Sequence, residues 1–281
     1  MPYAENNGVR IHYGVAGAGK PLVLQHGFTE SIEDWSECGY VDALQSQHRL
    51  ILIDARGHGR SDKPHDPLAY SLEVRVRDVV AVLDTIGTEK AHFWGYSMGG
   101  WIGFGMAQFA PDRVDRLVIG ALYPFARSME HLRQMVRAGI DGGADAFVAA
   151  FHKTFGPAEG AFAERLRAAD LHAYLALLQD RPALDELLPR MSMPCCLYAG
   201  HADDVFGQAR SASEWIPGAV FFSLPGLDHC EAFARAELVL PRIMPFLLGQ
   251  TSSGRDGARL VAAKPTEDRV TCAAGSASIL H

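Results

Sequence analysis

Short, nearly unbroken apolar runs recur along this chain, at residues 21–25, 49–54, 91–95, 114–120, 195–200 and 220–224. Runs of that length without polar alternation suit strands buried on both faces, as in a parallel sheet. A looser run at 9–15 follows Asn6-Asn7-Gly8 and reads as a hairpin opening into a strand. Between these runs the period changes. Over 71–86, Leu72, Val76, Val79, Val80, Leu83 and Ile86 recur every three or four positions, with Ser71 placed to cap a helix and Gly87 to end it. Strands alternating with such helices imply crossover connections and a doubly wound α/β sheet.

One stretch breaks the alternation. Residues 124–190 hold no convincing strand, while Phe147, Phe151, Phe155, Phe162, Leu166, Tyr174 and Leu178 fall in helix-compatible patterns. The expectation is a helical insertion laid over the sheet, with residues 1–123 and 191–249 forming the core domain. From about residue 250 the composition turns to Gly, Ser, Ala and Thr, so 250–281 reads as a flexible C-terminal tail.

Composition narrows the picture further. With 281 residues, 48% of them hydrophobic, the chain is long enough to bury a core without disulfides or structural metal. A formal net charge of −7 argues against a nucleic-acid partner, which calls for a clustered basic face. Arg133 and Arg137 read as one side of a solvated helix. The five cysteines are odd in number and show no C-x-x-C spacing, so neither a zinc nor a redox site is indicated; Cys195 and Cys196 read as small core residues. No stretch reaches the roughly 18 apolar residues of a membrane span, and the N-terminus lacks a charged-then-apolar leader. The expectation is a reduced, cytoplasmic protein with no membrane partner and an open oligomeric state.

Candidate chemistry concentrates where apolar runs end. Gly95-Tyr96-Ser97-Met98-Gly99-Gly100 joins a strand to a helical pattern at 101–109. A serine on so sharp a turn needs neighbours two residues away without side chains, and the turn lifts its hydroxyl to the positive end of the following helix. A hydroxyl at neutral pH is a poor nucleophile and needs a base. Of the twelve histidines, His229 lies on the loop after the last strand, where it would end beside the serine. His26 reads as holding its loop, His58 as a structural turn residue, and His12, His48 and His92 as satisfied polar residues in or beside strands. The base in turn needs an acid to fix its tautomer. Asp203 and Asp204 follow the strand at 195–200, whereas Asp228, adjacent to His229, would point away from its ring. The order Ser97, Asp203, His229 is that of one known triad arrangement among several. The backbone amides of Phe28, after Gly27, and of Met98 are the candidate oxyanion donors. Trp35, Phe147 and Phe151, with the Phe28 ring, are candidate walls of an apolar substrate pocket, with packing inside the insertion as the plainer alternative.

Over roughly residues 1–249 the sequence resembles the α/β-hydrolase superfamily. The likeness is carried by His26-Gly27-Phe28, by Asp54-Ala55-Arg56-Gly57-His58-Gly59-Arg60-Ser61-Asp62, by the Ser97 pentapeptide, by Gly200-His201-Ala202-Asp203 and by Gly226-Leu227-Asp228-His229. The resemblance implies an eight-stranded, mostly parallel sheet with helices on both faces, a helical cap at 124–190, and no cofactor or metal. It favours hydrolysis of a small, largely apolar carboxylic ester or lactone through an acyl-enzyme. Enol-lactonase, cofactor-free perhydrolase or haloperoxidase-like and ligand-sensing members are the alternatives. Dehalogenases and epoxide hydrolases of the superfamily carry Asp where Ser97 stands, and the C–C hydrolases usually carry Gly-Pro-Gly where this chain has Phe28-Thr29-Glu30. The tail has no counterpart in the family.

Overall fold

Alternate residues of a strand leave the backbone in opposite directions, and here the two directions fill two separate cores. Leu22, Leu24, Leu50, Leu52, Trp94 and Tyr96 enter one apolar cluster, while Val23, Ile51, Ile53 and Phe93 enter the other. Both faces are therefore covered, which is why the runs carry no polar alternation. The computed structural model describes residues 2–250. The tail read as flexible lies, from residue 251 on, outside the described residues, and Cys272 with it.

The strands are β1 (Tyr3–Asn6), β2 (Val9–Ala16), β3 (Lys20–Gln25), β4 (His48–Ile53), β5 (Ala91–Tyr96), β6 (Val114–Gly120), β7 (Cys195–Gly200) and β8 (Val220–Leu224). They form one eight-stranded sheet in the order β1-β2-β4-β3-β5-β6-β7-β8. β1 and β2 pair antiparallel, β2 pairs antiparallel with β4, and every other pairing is parallel. The hairpin turns on Asn7 and Gly8, both at positive φ, the conformation that two-residue hairpin turns require. β1 has only four residues of alternating exposure, so it leaves no apolar run in the sequence. Ser71 caps the helix Leu72–Thr85 by accepting from the Val74 amide at 3.3 Å, and Val76, Val79, Val82 and Leu83 bury its inner face. The same helix carries a buried Asp78 that binds the Arg56 guanidinium and Asn6, tying it to the sheet.

From β3 the chain moves to β4 on one side and later returns to β5 on the other. Connections diverge between β3 and β5, which opens a crevice at the carboxyl ends of these strands. Between β6 and β7 come the helices Glu130–Gly142, Ala144–Phe155, Gly160–Arg167 and Leu171–Leu177. Their inner faces make a third apolar cluster, including Val136, Phe147, Leu166 and Tyr174. That cluster also takes in Ala55, after β4, and Met98, after β5, so the helices sit over the strand ends. Arg137 is exposed beside Glu130, as expected of a solvated face. Arg133 differs in being half-buried and binding Glu130, Asp180 and the Leu178 carbonyl.

His48 and His92, expected to be satisfied polar residues, have polar neighbours in the Leu44 backbone and, at 3.2 Å, the Asp115 carboxylate, but in poor alignment. Their rings are buried 6.2 Å apart, and no ring nitrogen of either has a well-aligned hydrogen bond. Loss of water pushes both toward the neutral form, His92 to about 4 despite the nearby Asp115 carboxylate. His12 does have a partner, Asp54, at 2.7 Å. Among the described residues no helix is long and apolar enough to cross a membrane.

Candidate active site

Ser97 follows β5 and precedes the helix Met98–Phe109, with φ 50° and ψ −112°, a conformation that side chains rarely adopt. The surroundings hold it there. A Cβ on Gly95 would collide with the Gly99 carbonyl, and a Cβ on Gly99 with the Gln25 and His26 carbonyls. The elbow is thus wedged between its own helix and the end of β3. Of the four non-glycine residues at positive φ among the described residues, three lie at strand ends in this region: Thr29 after β3, Ser97 after β5 and Ala121 after β6. The Ser97 amide is held by the Gly120 carbonyl at 2.9 Å.

The loops after β7 and β8 are locked together. The amides of His201 and Ala202 donate to the carbonyls of Leu224 and Leu227 at 2.9 and 3.0 Å, and a Cβ on Gly200 would strike the Leu227 oxygen. This brings His229 between Asp203 and Ser97. Its Nδ1 lies 2.8 Å from Asp203 Oδ2 and its Nε2 3.0 Å from Ser97 Oγ. With the proton on Nδ1 donated to the carboxylate, Nε2 accepts the serine hydroxyl. The Asp203 side chain is 2% exposed, and its other oxygen accepts the Val205 amide at 3.0 Å. The Tyr96 hydroxyl donates to the His229 carbonyl at 2.6 Å and holds the loop from beneath. Asp228 points elsewhere because it caps the helix His229–Ala234, accepting from the Glu231 amide at 2.8 Å.

On the β3 side, His26 is fully buried. Its Nε2 accepts the Ala55 amide at 3.0 Å and its Nδ1 donates to the Gly27 carbonyl at 2.7 Å, fastening the loop after β3 to the loop after β4. Burial lowers its pKa, and that of His58 more strongly, so both rings are neutral near pH 7. The Gly27 amide is committed to the Glu30 carboxylate at 2.6 Å. Phe28 supplies the next amide along. Met98 opens its helix, so its amide has no acceptor within that helix.

These groups open onto a cavity of about 410 Å³ lined by Ser97, His229, Phe28 and Glu30 on the sheet side, and by Phe151, Phe155 and Phe162 from the insertion. Two expected wall residues are elsewhere. Trp35 is fully buried among Tyr40, Trp94 and Phe233 in the core on one face of the sheet; a large ring beside a strand end packs downward when an aromatic cluster awaits it. Phe147 is also fully buried, packed with Tyr174 inside the helical insertion and not against the cavity. Phe151, one helical turn later, does line it. Sequence reasoning did not single out Arg127, His131 and Arg181, which complete the wall. Arg127 and Arg181 meet across residues 54 positions apart, a contact that local patterns do not carry.

Sheet order and elbow together are those of the α/β-hydrolase class. Residues 20–182 match the family model described as alpha/beta hydrolase fold, and the chain belongs to that family. Over 119 residues it is 38% identical to a putative carbamate hydrolase of Azorhizobium caulinodans, covering 42% of this chain and 43% of that protein. Over 129 residues it is 37% identical to bifunctional epoxide hydrolase 2 of Sus scrofa, covering 46% and 23%. The matched stretch therefore spans less than half the length of these curated relatives. Among solved structures, the enol-lactonase from Burkholderia xenovorans superposes with a TM-score of 0.78 over 88% of this chain and all of that one. At 24% identity, that likeness is one of fold alone.

Proposed function

We propose that this protein is a serine hydrolase cleaving a small carboxylic ester or lactone through an acyl-enzyme. The observation that carries the reading is the unbroken hydrogen-bonded run from Asp203 through His229 to Ser97 Oγ, opening into a partly aromatic cavity. In this reading Ser97 attacks the acyl carbon while His229 Nε2 takes the hydroxyl proton. The amides of Phe28 and Met98 receive the oxyanion, and His229 returns the proton to the departing alkoxide. Water activated by the same histidine then releases the acid and restores Ser97. Asp203 holds the imidazole in the required tautomer and supports its positive charge. Phe28 and Phe151 would contact the apolar part of the substrate, and the helices of residues 124–190 would act as the cap.

The match to an epoxide hydrolase does not transfer its reaction. Attack by a serine on an epoxide would leave an ether, which a second water does not readily cleave, whereas a carboxylate nucleophile leaves a hydrolysable ester. A hydroxyl at position 97 instead suits acyl transfer, the chemistry class of the matched carbamate hydrolase's name. The test is labelling with a fluorophosphonate followed by peptide mapping, alongside turnover of short acyl esters and lactones. Covalent modification at Ser97 and turnover well above background are expected. An unlabelled Ser97 in folded protein, with no turnover, would sink the assignment.

A further inference from the structure

Arg127 and Arg181 face each other across an isolated antiparallel bridge. The Arg127 amide donates to the Arg181 carbonyl at 3.0 Å and the Arg181 amide to the Arg127 carbonyl at 2.9 Å. Two residues that exchange both bonds have Cα atoms about 5.5 Å apart and side chains on one face. Like charges set directly opposite in this way destabilise the pairing. Arg127, Arg181 and His131 are among the residues lining the cavity that holds Ser97 and His229, and Arg181 also borders an adjoining cavity lined by Trp101 and Met98. The partners of the two arginines are ring faces, Tyr123 beneath Arg127 at 5.6 Å and Trp101 beneath Arg181 at 5.4 Å, and among the described residues neither forms a salt bridge.

The carboxylates on the same wall are engaged otherwise or lie in water. Asp203 binds His229, Asp228 caps a helix, Glu30 accepts the Gly27 amide, and Asp204 is exposed. Loss of water around the Arg181 guanidinium, with Arg127 and Arg75 adding like charge, pushes it down to about 9, which leaves it protonated at neutral pH. His131 is lowered by burial first and then by the same two arginines. The pair stands out in a protein whose formal net charge is −7.

We propose that Arg127 and Arg181 form an anion subsite, and that the substrate is an ester or lactone bearing a carboxylate at the end away from the scissile bond. A planar guanidinium pair suits a carboxylate, each fork offering parallel N–H donors. The anion would relieve the repulsion built into the bridge and orient the substrate with its apolar middle against the phenylalanines. This specificity rests on the serine-hydrolase reading, and the experiment separates the two.

Monoethyl adipate and ethyl hexanoate have the same chain length and differ only in the terminal carboxylate. Their kcat/KM values, followed by acid release, should favour the charged ester by about tenfold or more in the wild-type protein. Arg127→Gln and Arg181→Gln should each bring the ratio toward one, chiefly through KM, while Arg127→Lys and Arg181→Lys keep part of the preference. A wild-type ratio of one or below, with ethyl hexanoate turned over, overturns the anion subsite and leaves the hydrolase reading standing. If neither ester is turned over and Ser97 resists fluorophosphonate, the hydrolase reading fails, and titration with adipate dianion decides the subsite by itself. Binding weakened about tenfold or more in the Gln variants supports it; no binding, or equal binding by all variants, overturns it.

Discussion

The two halves of the cavity are built by different means. On the sheet side, the backbone leaves almost no freedom: Gly95, Gly99 and Gly200 each abut a carbonyl that any side chain would strike, and Ser97 sits at positive φ. On the insertion side, the wall is contributed by residues on helices and their flanks, Phe151, Phe155, Phe162, Arg127 and Arg181. Reaction geometry tolerates displacements of well under an ångström, so it belongs on rigid strand ends. Selectivity among substrates asks only for shape and charge, which exchangeable side chains provide. Substitutions on the sheet side should therefore abolish turnover or the fold, and those opposite should redistribute preference.

The largest effect should come from Ser97→Ala. Alanine fits the same backbone, so the melting temperature should stay close to wild type, while kcat on any good ester falls by about 10³ or more. Retention of more than about a tenth of the activity would place the nucleophile elsewhere. Asp203→Asn comes next, with a loss of about 10² or more, because an amide can present the wrong hydrogen-bonding group to His229 Nδ1 and cannot support an imidazolium. Circular dichroism on each variant separates loss of chemistry from loss of fold.

Gly99→Ala probes the same half through stability. The added methyl meets two backbone oxygens that cannot rotate away, so a cost above about 3 kcal/mol is expected, read as a large fall in melting temperature or in soluble yield. A stable, active Gly99→Ala protein would show that the elbow has slack, and the contrast between the halves would lose its basis.

What the sequence makes legible follows the same division. β6, β7 and β8 match their apolar runs end for end, and the Ser97 elbow is readable because steric demand writes glycine into the chain. The contacts of His229 and Asp203 are foreseeable because loops after neighbouring parallel strands end side by side. Trp35 and Phe147 were misplaced for one reason: an aromatic residue is equally suited to a core and to a cavity wall, and only packing against Tyr40 or Tyr174 tells which. Arg127 and Arg181 had no local signal at all, since their juxtaposition exists only once the insertion has folded back on itself.

Phe147 and Phe151 sharpen the comparison within one helix. Phe151→Ala should change the preferred acyl length severalfold while altering the smallest esters less, because its ring lines the cavity. Phe147→Ala empties a site inside the insertion and should cost about 3 kcal/mol or more of stability, with any rate loss uniform across chain lengths. Identical length profiles for the two variants would mean that the insertion acts as one packed unit, with no distinct wall.

The smallest effect is assigned to Asp204, and its value lies in the sign. Asp204 is exposed and sits on the cavity rim, where its charge raises the proton affinity of His131. Its neighbour Asp203 is buried, with one oxygen on His229 and the other on the Val205 amide, so the two carboxylates leave the backbone in different directions. Asp204→Asn should therefore leave kcat on a neutral ester within about threefold, since only long-range electrostatics change and solvent screens them. The variant removes a negative charge from the rim of a cavity that holds two arginines. If those arginines bind a carboxylate, KM for monoethyl adipate should fall slightly in Asp204→Asn and KM for ethyl hexanoate should not move. Raising the salt from 0.05 to 0.5 M, about 14 to 4 Å of screening length, should erase that difference. A crippled Asp204→Asn would rewrite the acid of the triad, and a KM that rises for the charged ester alone would argue that Asp204 itself contacts the substrate.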